Sequence, residues 1–301
     1  MIDFKQLDGQ RLQAALAGFP DALQSELGAW LDQPGFDATV APDRFQYWQQ
    51  QAGLDADALM LALLPLASCL ALPGVSHFYV GAVLLGRSGR LYFGANLEFP
   101  ALALAQTVHA EQSAITNAWL HGETGLDTLA VNYSPCGHCR QFMNELVAAQ
   151  ELRILLPGRG ALTLADYLPD AFGPADLDID SRLLADQARP LGTLSSDPLH
   201  LAATEAAGLS HAPYSGTLAG VALGLSDGAL LCGRYAENAA FNPSLPPLQS
   251  ALIAARLQRR DLGQASRLVL AEKASGLASQ LATTKALAKV LGLPRVEHLT
   301  L

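Results

Sequence analysis

The sequence predicts an α/β protein in which one domain is duplicated behind a small helical region, and three observations carry this. From about residue 77 onward, short apolar runs that suit strands alternate with helical patterns, which builds an α/β layer. The stretch GAVLLGRSGRLYFG at 81–94 lies on GVALGLSDGALLCG at 220–233 without a gap, keeping the turn and both end glycines. Residues 1 to about 50 instead carry apolar residues at three and four spacing, the period of a helix.

In chain order, GQRLQAALAGF and PDALQSELGAWL predict two helices. The most apolar run, ALMLALLPLASCLAL at 58–72, is too short to span a bilayer and contains Pro65, so it predicts one buried helix. HFYVGAVLLGRSGRLYFGANLEF then places two strands around the turn signal RSGR, a β-hairpin. A helix from about 109, the strand TLAVNY at 128–133, a helix from about 135 and the strand ELRILLP at 151–157 complete the first copy. Farther along, EQSAI at 111–115 meets LQSAL at 248–252 once two residues are dropped between. The expected division is a helical region at 1–50, a catalytic domain at 51–170, a connector at 171–192 and a degenerate, non-catalytic copy at 193–301.

At 301 residues, half of them hydrophobic, the chain can bury the cores of two ordinary domains. A formal net charge of −9 with 19 Lys and Arg, the densest basic run being RLQRR at 256–260, argues against long nucleic acid as a partner. The start MIDFKQLDGQRLQ lacks a signal peptide's basic and apolar runs. Four cysteines without a framework of spacings suit a reducing compartment. A soluble, cytoplasmic enzyme with no membrane association is the expectation.

The first copy holds TVHAEQSAI and, about twenty residues later, VNYSPCGHCRQF. Two thiolates and an imidazole, from Cys136, Cys139 and His109, are the usual ligands of zinc, and three protein ligands leave the fourth tetrahedral position for water. Pro135 suits a first helical turn, which sets both cysteines near a helix start, where the dipole favours thiolate. Residues two apart on a helix point roughly 200° from each other. His109 and Glu111 can therefore share a site only off the starting end of their helix, so two helix starts should face one metal. Glu111 is then free to move protons between water and a substrate nitrogen. In the second copy His109 falls opposite Pro246 and Glu111 opposite Leu248, and no cysteine follows Cys232. The chemistry, one zinc per chain, belongs to the first copy.

The competing readings explain less. A thioredoxin-like pair lacks its opening strand and leaves His109 and Glu111 without a role. Haem attachment needs His where Arg140 stands. A closed structural zinc site would recruit His138 or His121 as fourth ligand. His77, His200, His211 and His298 belong to no cluster and are expected to be satisfied by solvent or core.

HAE followed by PCGHC is the H-x-E and P-C-x-x-C signature of zinc nucleobase and nucleoside deaminases. The fuller run FGANLEF…TVHAEQSAI…VNYSPCGHCRQFMNEL resembles cytidine deaminase, the long form in particular, and the resemblance extends over DYLPDAFGP and YAENAAFNPSLPPLQ to nearly the whole chain. It implies a duplicated three-layer domain, a mixed sheet with helices on both faces, behind a small helical region. It also implies a homodimer in which the loop AENAAF at 236–241 completes the partner's active site. By the same resemblance His109, Cys136 and Cys139 hold zinc, Glu111 shuttles the proton, Asn96 and Glu98 hold the ribose hydroxyl, and Phe78 packs on the pyrimidine. Tyr79 departs from the pattern, which more often has Asn there. The implied activity is hydrolytic deamination of cytidine and deoxycytidine in pyrimidine salvage, by zinc-activated water and a glutamate shuttle. Two alternatives stand beside it: a polynucleotide deaminase, which would need a basic channel and stacking residues, and a non-enzymatic zinc protein, which would have no use for Glu111.

Overall fold

A computed structural model describes residues 2–185, 188–192, 195–273 and 276–301. Helices α1 (Gly9–Leu16), α2 (Asp21–Leu31) and α3 (Pro42–Ala52) form the amino-terminal region. Between α2 and α3, the two-residue strand β1 (Thr39–Val40) pairs antiparallel with β3 of the first sheet, so this region contributes an edge strand. Arg11 of α1 lays its guanidinium 3.5 Å from the centre of the Tyr79 ring, a cation–π contact made by the residue that departs from the family pattern.

The apolar run at 58–72 forms two helices, α4 (Ala56–Ala62) and α5 (Leu64–Ser68), where one was expected. Pro65 is the cause. It occupies the first turn of α5, where its missing N–H costs nothing, whereas inside a continuous helix it would delete a backbone bond and clash with the preceding turn. The burial was read correctly: Leu59, Met60, Leu63, Leu64, Leu66 and Ala67 are all in the core.

The first sheet follows with β2 (Gly81–Gly86), β3 (Leu91–Ala95), helix α6 (Ala110–Leu120), β4 (Leu126–Val131), helix α7 (Gly137–Met143), β5 (Arg153–Leu155), β6 (Leu162–Thr163) and the short helix α8 (Leu164–Tyr167). Its strand order is β1-β3-β2-β4-β5-β6, with β4 and β5 parallel and the other pairs antiparallel. The strand expected at 128–133 starts and stops two residues earlier. Asn132 leaves the ladder because its amide is used to accept from Gly81 N at 3.0 Å and to donate to Tyr79 O at 3.1 Å. Pro135 lies just before α7 and outside it, since Cys136 is the helix cap.

The second copy has α9 (Pro198–Gly208), β7 (Ala219–Leu225), β8 (Leu230–Arg234), α10 (Pro247–Leu257), β9 (Ala265–Glu272), α11 (Leu281–Leu291) and β10 (Val296–Thr300). Its order, β8-β7-β9-β10 with β9 and β10 parallel, repeats the β3-β2-β4-β5 core of the first sheet. The segments matched by the repeat are the hairpins β2–β3 and β7–β8 and the helices α6 and α10.

The end glycines of the repeat have a physical reason. A Cβ on Gly81 would run into the backbone of α5 at Ser68, and one on Gly94 would overlap Ala114 N of α6 and come within 2.6 Å of Ala110 O. Gly220 and Gly233 meet α9 and α10 in the same way. Gly94 pairs with Ala82 and Gly81 with Ala95, and successive residues of a strand face opposite sides, so α5 and α6 lie on opposite faces of the sheet. Each copy is therefore a three-layer α/β domain whose helices approach the sheet closely only because glycine lacks a side chain. Gly94→Ala is expected to destabilise the protein by about 3 kcal/mol or more, because the clash is with backbone on a helix that cannot swing away. Gly28→Ala, inside α2 with open space around it, should add about 0.5–1 kcal/mol. Thermal melts of the two variants check this, and a Gly94→Ala protein that melts like wild type would remove the close-approach argument.

The two copies share one core, with α6 packed on α10. Arg256 of α10 is 1% exposed and donates to the carbonyls of Phe4, Gln6, Cys69 and Leu70, stitching the second copy to the amino terminus and to the segment just after α5. Burial lowers its pKa to about 10. Arg259 donates to Lys5 O and Leu31 O, and Arg260 pairs with Asp227. The densest basic run of the sequence is thus engaged inside the chain.

Candidate metal centre and active-site cleft

Two helix starts meet in the first copy. His109 is the cap of α6 and Glu111 its second residue, while Cys136 caps α7 and Cys139 is that helix's third residue. His109 is held where it is by its own helix. Its N–H donates to Gln112 Oε1 at 3.3 Å, and its carbonyl accepts from Ser113 N. Cys136 Sγ lies 3.5 Å from His109 Nδ1 and Cys139 Sγ lies 3.3 Å from it, with 3.5 Å between the two sulfurs. A tetrahedral zinc with bonds of ~2.0–2.3 Å sets its ligand atoms about 3.5–3.8 Å apart, so the donor set fits that metal in both chemistry and spacing.

The three groups also hold one another in the state a metal needs. The bond from Cys139, with His109 adding to it, pulls the Cys136 thiol down to about 3, and the bond to Cys136 raises the His109 pKa. Cys139, which carries the shared proton and is fully buried, is pushed well above the usual thiol range. Metal binding must therefore displace protons from this cluster, so it is favoured as pH rises.

Glu111 sits beside these donors and is only 4% exposed. Burial raises its pKa, and a bond from Cys139 and the charge of His109 oppose the rise. A carboxylate lifted toward neutrality can both take and return a proton. His138 and His121, the proposed fourth ligands of a closed structural site, do not join the cluster. His138 stacks on the His109 ring at 4.8 Å between centroids, while His121, at the far end of α6, bonds Asn117 O and Asp37. Among the described residues the group able to hold a metal is His109, Cys136 and Cys139. Of the remaining histidines, His200 bonds Ser195 and Glu297, His211 bonds the buried Glu145, and His298 bonds Glu272.

These side chains open on a cleft of about 530 Å³ that Phe78, Asn96 and Glu98 also line, so the structure brings all of the sequence-derived candidates to one place, with Cys139 just behind the wall. Glu98 accepts from Val75 N at 2.9 Å, Ser76 N at 2.8 Å, Ser76 Oγ at 2.5 Å and Asn96 Nδ2 at 3.3 Å. Burial alone would raise its pKa, but these donors outweigh it and keep the carboxylate ionised. Asn96 is fixed in turn by Val80 N and Phe78 O. Phe78 is half-exposed, its ring 4.3 Å from that of Tyr133.

Tyr133, Ser76 and Thr107 are cleft residues that sequence reasoning missed. Tyr133 had a signal, being the aromatic directly before SPC, where β4 has just ended. Ser76 had one as well: at the same ungapped offset as the hairpins, Ser76 and Glu98 fall on Ser215 and Glu237. The structure repeats the clamp there, with Glu237 accepting from Tyr214 N, Ser215 N and Ser215 Oγ. The second copy thus retains the carboxylate clamp as a loop closure, while Tyr235 replaces Asn96, and Pro246 and Leu248 replace His109 and Glu111.

Residues 55–153 match a family described as the cytidine and deoxycytidylate deaminase zinc-binding region, and residues 164–285 match a second family of the same description. A cytidine deaminase of Serratia proteamaculans is 50% identical over 290 residues, covering 96% of this chain and 99% of the relative. One of Klebsiella pneumoniae is 51% identical over 291 residues, covering 97% and 99%. Among solved structures, the cytidine deaminase of Mycobacterium tuberculosis is 35% identical over 40% of this chain and 99% of that one, with a TM-score of 0.36.

Proposed function

Because the chain belongs to the cytidine deaminase family, we propose that its cleft works with His109, Cys136 and Cys139 as zinc ligands, Glu111 as proton carrier, and Phe78, Asn96 and Glu98 as the nucleoside site. The reaction is hydrolytic deamination of cytidine and deoxycytidine to uridine and deoxyuridine with release of ammonia. The observation that carries the residue assignment is Glu111: a buried carboxylate of raised pKa, placed beside a three-donor metal group and facing the cleft.

The zinc, when bound, supplies the Lewis acidity that makes a water acidic near neutral pH. Glu111 takes a proton from the attacking water and delivers it to the ring nitrogen N3 as the oxygen bonds to C4. It then moves the second proton of that oxygen to the exocyclic amine, the C4–N bond breaks, and the carbonyl of uracil forms. Each transfer leaves Glu111 as it began, which is why one carboxylate suffices. Glu98 and Asn96 offer an acceptor and a fixed amide to sugar hydroxyls, and the Phe78 ring covers the base.

The domain division follows as part of the same reading: helical region to about residue 50, catalytic domain to 170, connector at 171–192 and degenerate copy beyond. A cytoplasmic role in pyrimidine salvage and a homodimer with shared active sites also belong to it. The cleft rim leaves Val75, Phe78, Leu104 and Tyr133 exposed, an apolar edge suited to cover by a second copy. In the loop proposed to reach the partner, Ala239 is buried with its N–H on Glu145, and Phe241 is the exposed tip at 67%. Among the described residues no helix is long and apolar enough to cross a membrane.

Ultraviolet assay of the purified chain, with its mass in solution measured alongside, tests this. Cytidine should be converted by a dimer. Free cytosine, which leaves Glu98 and Asn96 without hydroxyls, and cytidylate, whose phosphate Glu98 should repel, should be poor, and a cytosine-containing oligonucleotide should be untouched. Equal efficiency on cytosine or cytidylate would remove Glu98 from sugar recognition, and a fully active monomer would remove the shared site.

A further inference from the structure

The repeat preserves one polar residue pair that the chemistry does not use, the Gln-Ser of EQSAI and LQSAL. Gln112 and Gln249 are the third residues of α6 and α10, and both are buried, at 1% and 2% exposure. Each reaches across the junction between copies to the segment that leads into the other copy's helix. Gln112 Nε2 donates to Pro243 O at 3.1 Å, and Gln249 Nε2 donates to Gln106 Oε1 at 2.5 Å. Thr283 Oγ1 of α11 donates to the same Gln106 oxygen at 2.9 Å.

The two glutamines differ at their other end. Gln112 Oε1 accepts the His109 N–H, but Pro246 stands where His109 would be and has no N–H to give, so Gln249 Oε1 is buried without a partner. A buried amide with one unsatisfied oxygen costs stability. The bond it does make is to a single 3₁₀ turn, Leu104–Gln106, whose Leu104, with the following Thr107, lines the cleft.

We propose that Gln249 is a positioning residue for the active site, supplied by the degenerate copy: through Gln106 it holds the Leu104–Thr107 wall against which the nucleoside is bound. The kinetic part of this rests on the deaminase reading above; the structural part does not. It gives the second copy a function in its own chain, independent of any contact with a partner.

The test uses Gln249→Met, which keeps the length and bulk of the side chain, removes the donor and also removes the orphaned oxygen. With cytidine as substrate, KM should rise about five-fold, the factor that corresponds to one hydrogen bond, with kcat within twofold. The melting temperature should stay level or rise. Backbone amide exchange at Gln106 and Thr107 should quicken while β2 and β4 stay protected. Gln106→Leu should give the same KM shift, and the double variant should be no worse than either alone. Unchanged KM together with unchanged exchange overturns the proposal, as does a lowered melting temperature with KM intact, which would mark Gln249 as structural only. Should the wild-type chain fail to act on cytidine, the deaminase reading falls, and the exchange experiment still decides whether Gln249 holds this wall.

Discussion

Glu111→Gln is expected to leave the fold and the zinc content intact and to reduce cytidine turnover by at least about 10²- to 10⁴-fold, the usual worth of general acid–base catalysis. The amide is nearly isosteric, so the burial that raises the Glu111 pKa costs the variant nothing, and the first turn of α6 has no reason to shift. What is lost is the buried carboxylate that lines the cleft beside the three metal donors, the one proposed to take a proton from water and return it to two different nitrogens. Removing it affects every transfer and so should fall at or beyond the upper end of that range. Steady-state kinetics with metal analysis on the same sample decides the matter. Activity within tenfold of wild type at full zinc occupancy would take Glu111 out of the mechanism.

Cys136→Ala should lose zinc and with it all measurable activity. Of the two thiols, Cys136 is the one held as thiolate, drawn down to about 3 by Cys139 and His109, and it is the exposed member of the pair. The remaining His109 and Cys139 supply two donors, which cannot make a three-ligand catalytic site. The raised pKa values of Cys139 and His109 make metal uptake pH-dependent: zinc must displace their protons, so affinity should fall as pH is lowered. Elemental analysis should give one zinc per wild-type chain and less than about a tenth of that in the variant. Two zincs per chain, or an undiminished content in Cys136→Ala, would contradict the assignment.

The residues themselves determined a good deal. Local periodicity and turn chemistry are properties of contiguous residues, and they placed the first hairpin, α6, α7, β4 and β5 within a few positions, while the repeat placed the second hairpin. The duplication was legible because the same close approach of helix to sheet demands glycine at Gly81, Gly94, Gly220 and Gly233 alike. The donor types at His109, Cys136 and Cys139, with Glu111 two places after the histidine, named a metal chemistry before any coordinate, since the competing readings explained fewer of the four residues. Tertiary structure decided what depends on partners distant in the chain. It set α5 against Gly81, across the break that Pro65 makes in the 58–72 run. It drew Thr39–Val40 into the sheet as an edge too short to carry an alternating pattern. It paired Gln249 with Gln106 and buried Arg256 among four carbonyls, contacts spanning more than a hundred residues that leave no periodic trace. Spacing along a chain reports geometry only while one helix or strand connects the residues; once the path passes through a turn, packing alone sets which side chains meet.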